Sequence, residues 1–100
     1  MTPKEAKTAL AECRSRIDVV DREIVELLNQ RTRIVEQIGR IKREMRMPIY
    51  EPKREDEVFA NAIGASSGPL PPEAVKRIFE RIIDEMRVVQ KTKMEKEPSC

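Results

Sequence analysis

Residues 10–45 read LAECRSRIDVVDREIVELLNQRTRIVEQIGRIKREM, and the apolar positions in this stretch decide the fold. Leu10, Cys13, Ile17, Val20, Ile24, Leu27, Leu28, Ile34, Val35, Ile38, Ile41 and Met45 mostly recur at spacings of three and four, the period of one helix face. Nothing interrupts the pattern before Pro48. Gly39 is the one poor helix former inside it, and a single glycine costs only about 1 kcal/mol relative to alanine. Upstream, Thr2-Pro3-Lys4-Glu5 reads as a capping box with proline at the first helical position. The spacing therefore predicts one helix from about residue 3 to about residue 46, roughly 65 Å long at 1.5 Å per residue. A compact chain of 100 residues has a radius of gyration of only about 13 Å, so one chain cannot cover such a stripe. The expectation is a homodimer in which two long helices pack along their lengths.

After Pro48, the segment from Glu51-Pro52 to Ile63 carries proline near its first turn and Gly64 as the expected C-cap, with Val58, Phe59, Ala62 and Ile63 on one side. This predicts a short second helix. Ala65-Ser66-Ser67-Gly68-Pro69-Leu70 is a loop by composition, and Pro71-Pro72-Glu73 opens a third helix with the stripe Val75, Ile78, Phe79, Ile82, Ile83, Met86 and Val89. From Lys91 to Cys100 the apolar period is lost and charge dominates, which predicts a fraying, disordered tail. The fold class expected is all-α, with a very long, a short and a medium helix per chain in an intertwined helical homodimer. Residues 1–92 form its single domain and 93–100 its tail.

Composition narrows the function. Hydrophobic residues make up 39% and charged residues 38%, with 20 basic against 18 acidic side chains. Such a balance contains no polybasic arm and argues against nucleic-acid binding. Met1 to Cys13 has no apolar leader core, and no run approaches the roughly 18 to 20 apolar residues that span a bilayer, so the expected location is the cytoplasm, off the membrane. Cys13 and Cys100 suit reduced thiols better than a disulfide framework. There is no histidine, which removes the usual metal ligand, the usual catalytic base and any Ser/His or Cys/His nucleophile. No glycine-rich phosphate loop is present either. Any enzymatic chemistry is expected to need no cofactor, no metal and no covalent intermediate.

Several polar side chains stand where apolar ones belong. Arg31 continues the long helix's seam, one turn from Leu27 and Leu28 and from Ile34 and Val35. Lys42 follows by eleven residues, three turns and about 20° of rotation, which puts the two cations on one face about 16 Å apart. A cation on a seam needs an anion, because burying it unpaired costs several kcal/mol, so a missing internal partner points to an anionic ligand. The competing reading is a snorkelling or salt-bridged side chain. On the second helix, Glu51, Arg54 and Glu55 fall one turn from one another or from Val58 and Phe59, towards the apolar side; a solvated charge run is the alternative. Gln90 extends the third helix's stripe four residues after Met86, where a neutral amide serves a hydrogen bond. Arg14 lies about 100° around the axis and roughly 25 Å from Arg31. The same helix cannot bring both to one small ligand, whereas an antiparallel partner helix could deliver Arg14.

The strings Arg14-Ser15-Arg16-Ile17-Asp18-Val19-Val20-Asp21, Leu27-Leu28-Asn29-Gln30-Arg31, Ile38-Gly39-Arg40-Ile41-Lys42, Pro52-Lys53-Arg54-Glu55 and Ile82-Ile83-Asp84-Glu85-Met86-Arg87-Val88-Val89-Gln90, in this order and spacing, resemble the all-α, AroQ-type chorismate mutases over about residues 5 to 92. The resemblance implies rearrangement of chorismate to prephenate in aromatic amino-acid biosynthesis, without a cofactor. It places substrate-carboxylate contacts at Arg31 and, across the dimer, Arg14, ether-oxygen donors at Lys42 and Gln90, ring-hydroxyl contacts at Glu51 and Glu55, and a further carboxylate contact at Arg54. Glu51 stands where relatives often carry aspartate, and Met86 where some carry a serine that touches the substrate. Arg31, Lys42 and Gln90 would be catalytic, holding the enolpyruvyl arm over the ring and donating to the ether oxygen as its charge develops. Two alternatives stay open: an isochorismate pyruvate lyase of the same fold, and a helical dimerisation module without catalysis.

Overall fold

A computed structural model describes residues 1–96. It contains three helices and no strand among those residues: α1 (Pro3–Met45), α2 (Pro52–Ala65) and α3 (Pro72–Lys96). The chain divides into two units, Met1–Arg33 and Ile34–Cys100. No helix is long and apolar enough to cross a membrane among the described residues.

The expected long helix is present as a 43-residue element. Its first turn is capped from Thr2: the Glu5 backbone N–H donates to Thr2 Oγ1 at 3.1 Å, and the Thr2 hydroxyl donates to Glu5 Oε1 at 3.0 Å. The reciprocal half of the box thus uses the threonine hydroxyl instead of its backbone N–H. Its last turn closes in the double hydrogen bond typical of a left-handed cap: Met47 N–H donates to the Lys42 carbonyl at 2.8 Å and Arg46 N–H to the Arg43 carbonyl at 3.3 Å. Arg46 supplies the left-handed residue, at φ 54°, a conformation that costs a non-glycine residue about 1 kcal/mol. Arg46→Gly is therefore expected to stabilise the fold by up to about 1 kcal/mol, read as a rise in melting temperature with unchanged helical content.

In the first unit the apolar stripe of α1 is open to solvent in the single chain: Leu10, Ile17, Val20, Ile24 and Leu27 are each between 48% and 61% exposed. In the second unit α1 buries a different stripe, Val35, Gly39 and Lys42, and Val75, Ile83 and Met86 of α3 are the buried residues of the helix that packs against α2. These three α1 positions are spaced by four and three, which keeps them on one face. A β-carbon on Gly39 would lie 3.4 Å from the Gln90 Cα and carbonyl oxygen and 3.5 Å from Lys93 Cβ. The glycine thus lets the α3 backbone come to the limit of van der Waals contact with α1.

Two boundary expectations and one burial expectation are corrected. Gly64 does not cap α2; the helix continues to Ala65 and ends at Ser66, whose N–H donates to the Ile63 carbonyl at 3.2 Å. The loop glycine that takes a left-handed φ is Gly68, at 84°. Secondly, α3 runs past Gln90 to Lys96, because Lys, Met and Glu are good helix formers and Lys93 reaches Glu36 of α1 at 3.7 Å. The remainder of the expected tail, with Cys100, lies outside the described residues. Thirdly, Ile78 of the predicted α3 stripe is 48% exposed and stands outside the core of the single chain.

Candidate active site

The second unit holds the polar cluster. Lys42 is the buried charged residue of the core, 6% exposed, and its ammonium is held on two sides. It donates to the Ile49 carbonyl at 3.0 Å and meets Glu51 Oε1 at 2.7 Å. The turn that follows the left-handed cap at Arg46 brings Ile49 and Glu51 back over the last turn of α1, which is why a buried lysine is tolerated there. Of the two readings open for a cation on this seam, Lys42 takes the salt-bridged one within the chain. Its partner lies beyond Pro48, out of reach of any helical-spacing argument. Glu51 itself is the residue before α2 and makes no side-chain cap; its carboxylate is turned to Lys42 instead.

Gln90 comes from α3 opposite Gly39, one turn before Lys42 on the same α1 face, so both polar groups belong to the α1–α3 seam of this unit. Its Oε1 is fully buried and has no hydrogen-bonding partner among the described residues. A buried amide atom without a partner costs roughly 1–3 kcal/mol unless a ligand or water satisfies it. Rotation of the terminal amide can present either its oxygen or its NH2 group at that position.

Glu55 is part-buried on α2 and is not turned out to solvent. Arg87 of α3 grips both of its oxygens, Nε donating to Oε2 at 2.8 Å and Nη2 to Oε1 at 2.5 Å. The same guanidinium donates from Nη1 to Asp84 Oδ1 at 3.0 Å and lies 5.3 Å from the centroid of the Tyr50 ring. Hydrogen bonding to Glu55, above all, and then its charge and that of Asp84 hold Arg87 above the ordinary arginine range against the opposing effect of burial. Arg87 was missed as a site residue by sequence reasoning; the faint signal for it is a cation four residues after Ile83, on the flank of the α3 stripe.

The remaining candidates are placed as follows. Arg54 is exposed on α2 and pairs with Glu57 at 3.4 Å, an i,i+3 surface pair. Met86 is a core residue of α3, 7% exposed. Arg14 and Arg31 belong to the first unit, where Arg14 is exposed and Arg31 half-buried.

Three helices, with a partnered buried lysine and a buried amide oxygen on one α1–α3 seam of the second unit, define an all-α protein with a polar cluster among its helices. The family comparison is specific: the model of the chorismate mutase type II family matches residues 13–91, and the chain belongs to that family. It is 38% identical over 78 residues to the bifunctional chorismate mutase/prephenate dehydratase of Aquifex aeolicus, a match covering 74% of this chain and 22% of that protein. The chain thus spans about a fifth of the length of such curated relatives. Among solved structures, a chorismate mutase from Thermus thermophilus superposes with a TM-score of 0.81 at 32% identity, over 90% of this chain and 99% of the other. The chorismate mutase of Helicobacter pylori in complex with prephenate gives a TM-score of 0.83 at 28% identity, over 91% and 99%.

Proposed function

We propose that this chain is a chorismate mutase that rearranges chorismate to prephenate in aromatic amino-acid biosynthesis, acting as a cytoplasmic homodimer. The observation that carries the reading is the buried pair of polar groups on the α1–α3 seam, Lys42 and Gln90, in a chain of this family. The reaction breaks a C–O bond as a C–C bond forms and transfers nothing to the protein, so catalysis reduces to holding the substrate and stabilising charge. An ammonium has three donors; Ile49 and Glu51 take two on Lys42, and the third serves the ether oxygen. Gln90 turns its NH2 to the same atom. Such donors, fixed before the reaction, stabilise the transition state more than the ground state and so raise the chemical rate. Arg31, with Arg14 of the partner subunit, takes the two substrate carboxylates in the bidentate geometry that guanidinium favours. Arg54 lies ready for a further carboxylate contact, and Glu55 and Glu51 meet the ring hydroxyl. Met86, as an apolar wall, replaces a polar contact by packing.

The dimer is supported by the open α1 stripe, whose residues Leu10 to Leu27 would bury a continuous apolar seam against a second copy. Sedimentation at micromolar concentration is expected to show dimer alone, with loss of helix on dissociation; a folded monomer would contradict it. The exposed free thiol of Cys13 suits a reducing compartment. The deciding assay adds the protein to chorismate and follows both its absorbance and the products. Prephenate is the expected product, pyruvate would mark a lyase, and unchanged chorismate would mark a non-catalytic module.

A further inference from the structure

We propose that Arg87 is a positioning residue for Glu55, which fixes that carboxylate and offsets its charge in front of a dianionic substrate. The inference rests on the mutase reading. It starts from an electrostatic difficulty in that reading: a site built for two carboxylates also contains Glu55, whose side chain is only 16% exposed. Left alone, a part-buried carboxylate would repel the ligand and sample several rotamers.

The geometry removes both problems. Arg87 binds Glu55 through two parallel N–H donors, the arrangement that fixes a carboxylate's plane as well as its position. Each carboxylate oxygen keeps a second lone pair, so the pair still accepts a hydrogen bond from the ring hydroxyl. Arg87 is itself immobilised from two further sides, by Asp84 on its own helix at 3.0 Å and by the Tyr50 ring at 5.3 Å. Tyr50 belongs to the turn that carries Ile49 and Glu51, the two partners of Lys42. One guanidinium therefore ties α3 both to α2 and to the turn that holds the buried lysine.

The test compares steady-state kinetics of wild type, Arg87→Met, Arg87→Lys and the double variant Glu55→Gln/Arg87→Met on chorismate, well below their melting temperatures. Arg87→Met is expected to raise KM about tenfold with kcat changed less than about threefold, since it removes binding felt equally in ground and transition states. Arg87→Lys keeps the charge but loses the fork; its KM is expected to return to within about threefold of wild type while its melting temperature stays close to that of Arg87→Met. In the double variant the unpaired charge is gone, and KM is expected to fall below that of Arg87→Met. A residue that merely staples α3 to α2 would lower the melting temperature of all three variants and leave KM at its wild-type value, and that result overturns the proposal. If Arg87→Met does not fold, Arg87→Gln replaces it, and a KM for that variant equal to wild type does the same. A wild-type protein that leaves chorismate unchanged overturns the mutase reading first, and the role of Arg87 with it.

Discussion

Arg14→Ala and Arg31→Ala are each expected to lower kcat/KM by a hundredfold or more, and mixing the two inactive proteins is expected to restore about a quarter of wild-type activity. The loss follows from truncating one partner of a desolvated charge pair, which costs about 2–5 kcal/mol. Recovery follows from symmetry. If a site takes Arg31 from one subunit and Arg14 from the other, random reassortment makes about half of the dimers mixed, and each mixed dimer has one intact site out of two. The measurement is activity after mixing, with subunit exchange verified independently by mass or by a fluorescent label on each variant. Exchange without recovery would show that both arginines act within one chain or that one of them acts elsewhere. The same proteins report on folding: Arg14 is exposed, so Arg14→Ala is expected to melt within about 0.5 kcal/mol of wild type.

What could be read in advance follows the range of the physical signals. The long helix was legible because its apolar period runs unbroken from Leu10 to Met45 and because Pro48 forbids continuation. Its stop was legible only approximately, since the left-handed residue is an arginine at 46 instead of a glycine. Gly64 carried the composition of a cap but lies inside α2, because its backbone stays helical and the turn is made further on. The α3 stripe was right at Val75, Ile83 and Met86, which are buried. It failed at Ile78, since a stripe wide enough for two partners looks the same in sequence as one facing a single core. At the site, Lys42 and Gln90 stood out as polar residues on apolar faces, and the structure places both on the seam of the second unit. Their surroundings were not legible. Glu51 reaches Lys42 through a turn, and Arg87 reaches Glu55 across 32 residues of chain; neither pairing has a periodic signature, because each is created only when helices dock.

Gln90→Glu is expected to convert an enzyme with little pH dependence between about pH 6 and 9 into one that works only in acid. In the wild type the donors proposed for the ether oxygen are an amide with no proton to lose and an ammonium held against the Glu51 carboxylate. Glutamate keeps the shape of glutamine but donates only while protonated. Once ionised, it sets a negative charge against an oxygen that is itself becoming negative. The midpoint depends on opposing influences. Burial of the position, where Gln90 Oε1 is fully enclosed, and the substrate dianion push the new carboxyl above its reference of about 4.3, while the Lys42 ammonium on the same seam pulls it down. The sign does not depend on their balance: activity is present below the folded pKa and is lost as pH rises through it. At about pH 8 the loss relative to wild type is expected to be a hundredfold or more, the usual effect of removing one donor to a developing oxyanion, and at about pH 5 the loss is expected to be smaller. The comparison needs initial rates for both proteins at the two pH values, with helical content checked at each. Equal activity of Gln90→Glu at both would mean that the amide does not face the ether oxygen, and the unpaired atom on α3 would then have to be satisfied by another part of the ligand.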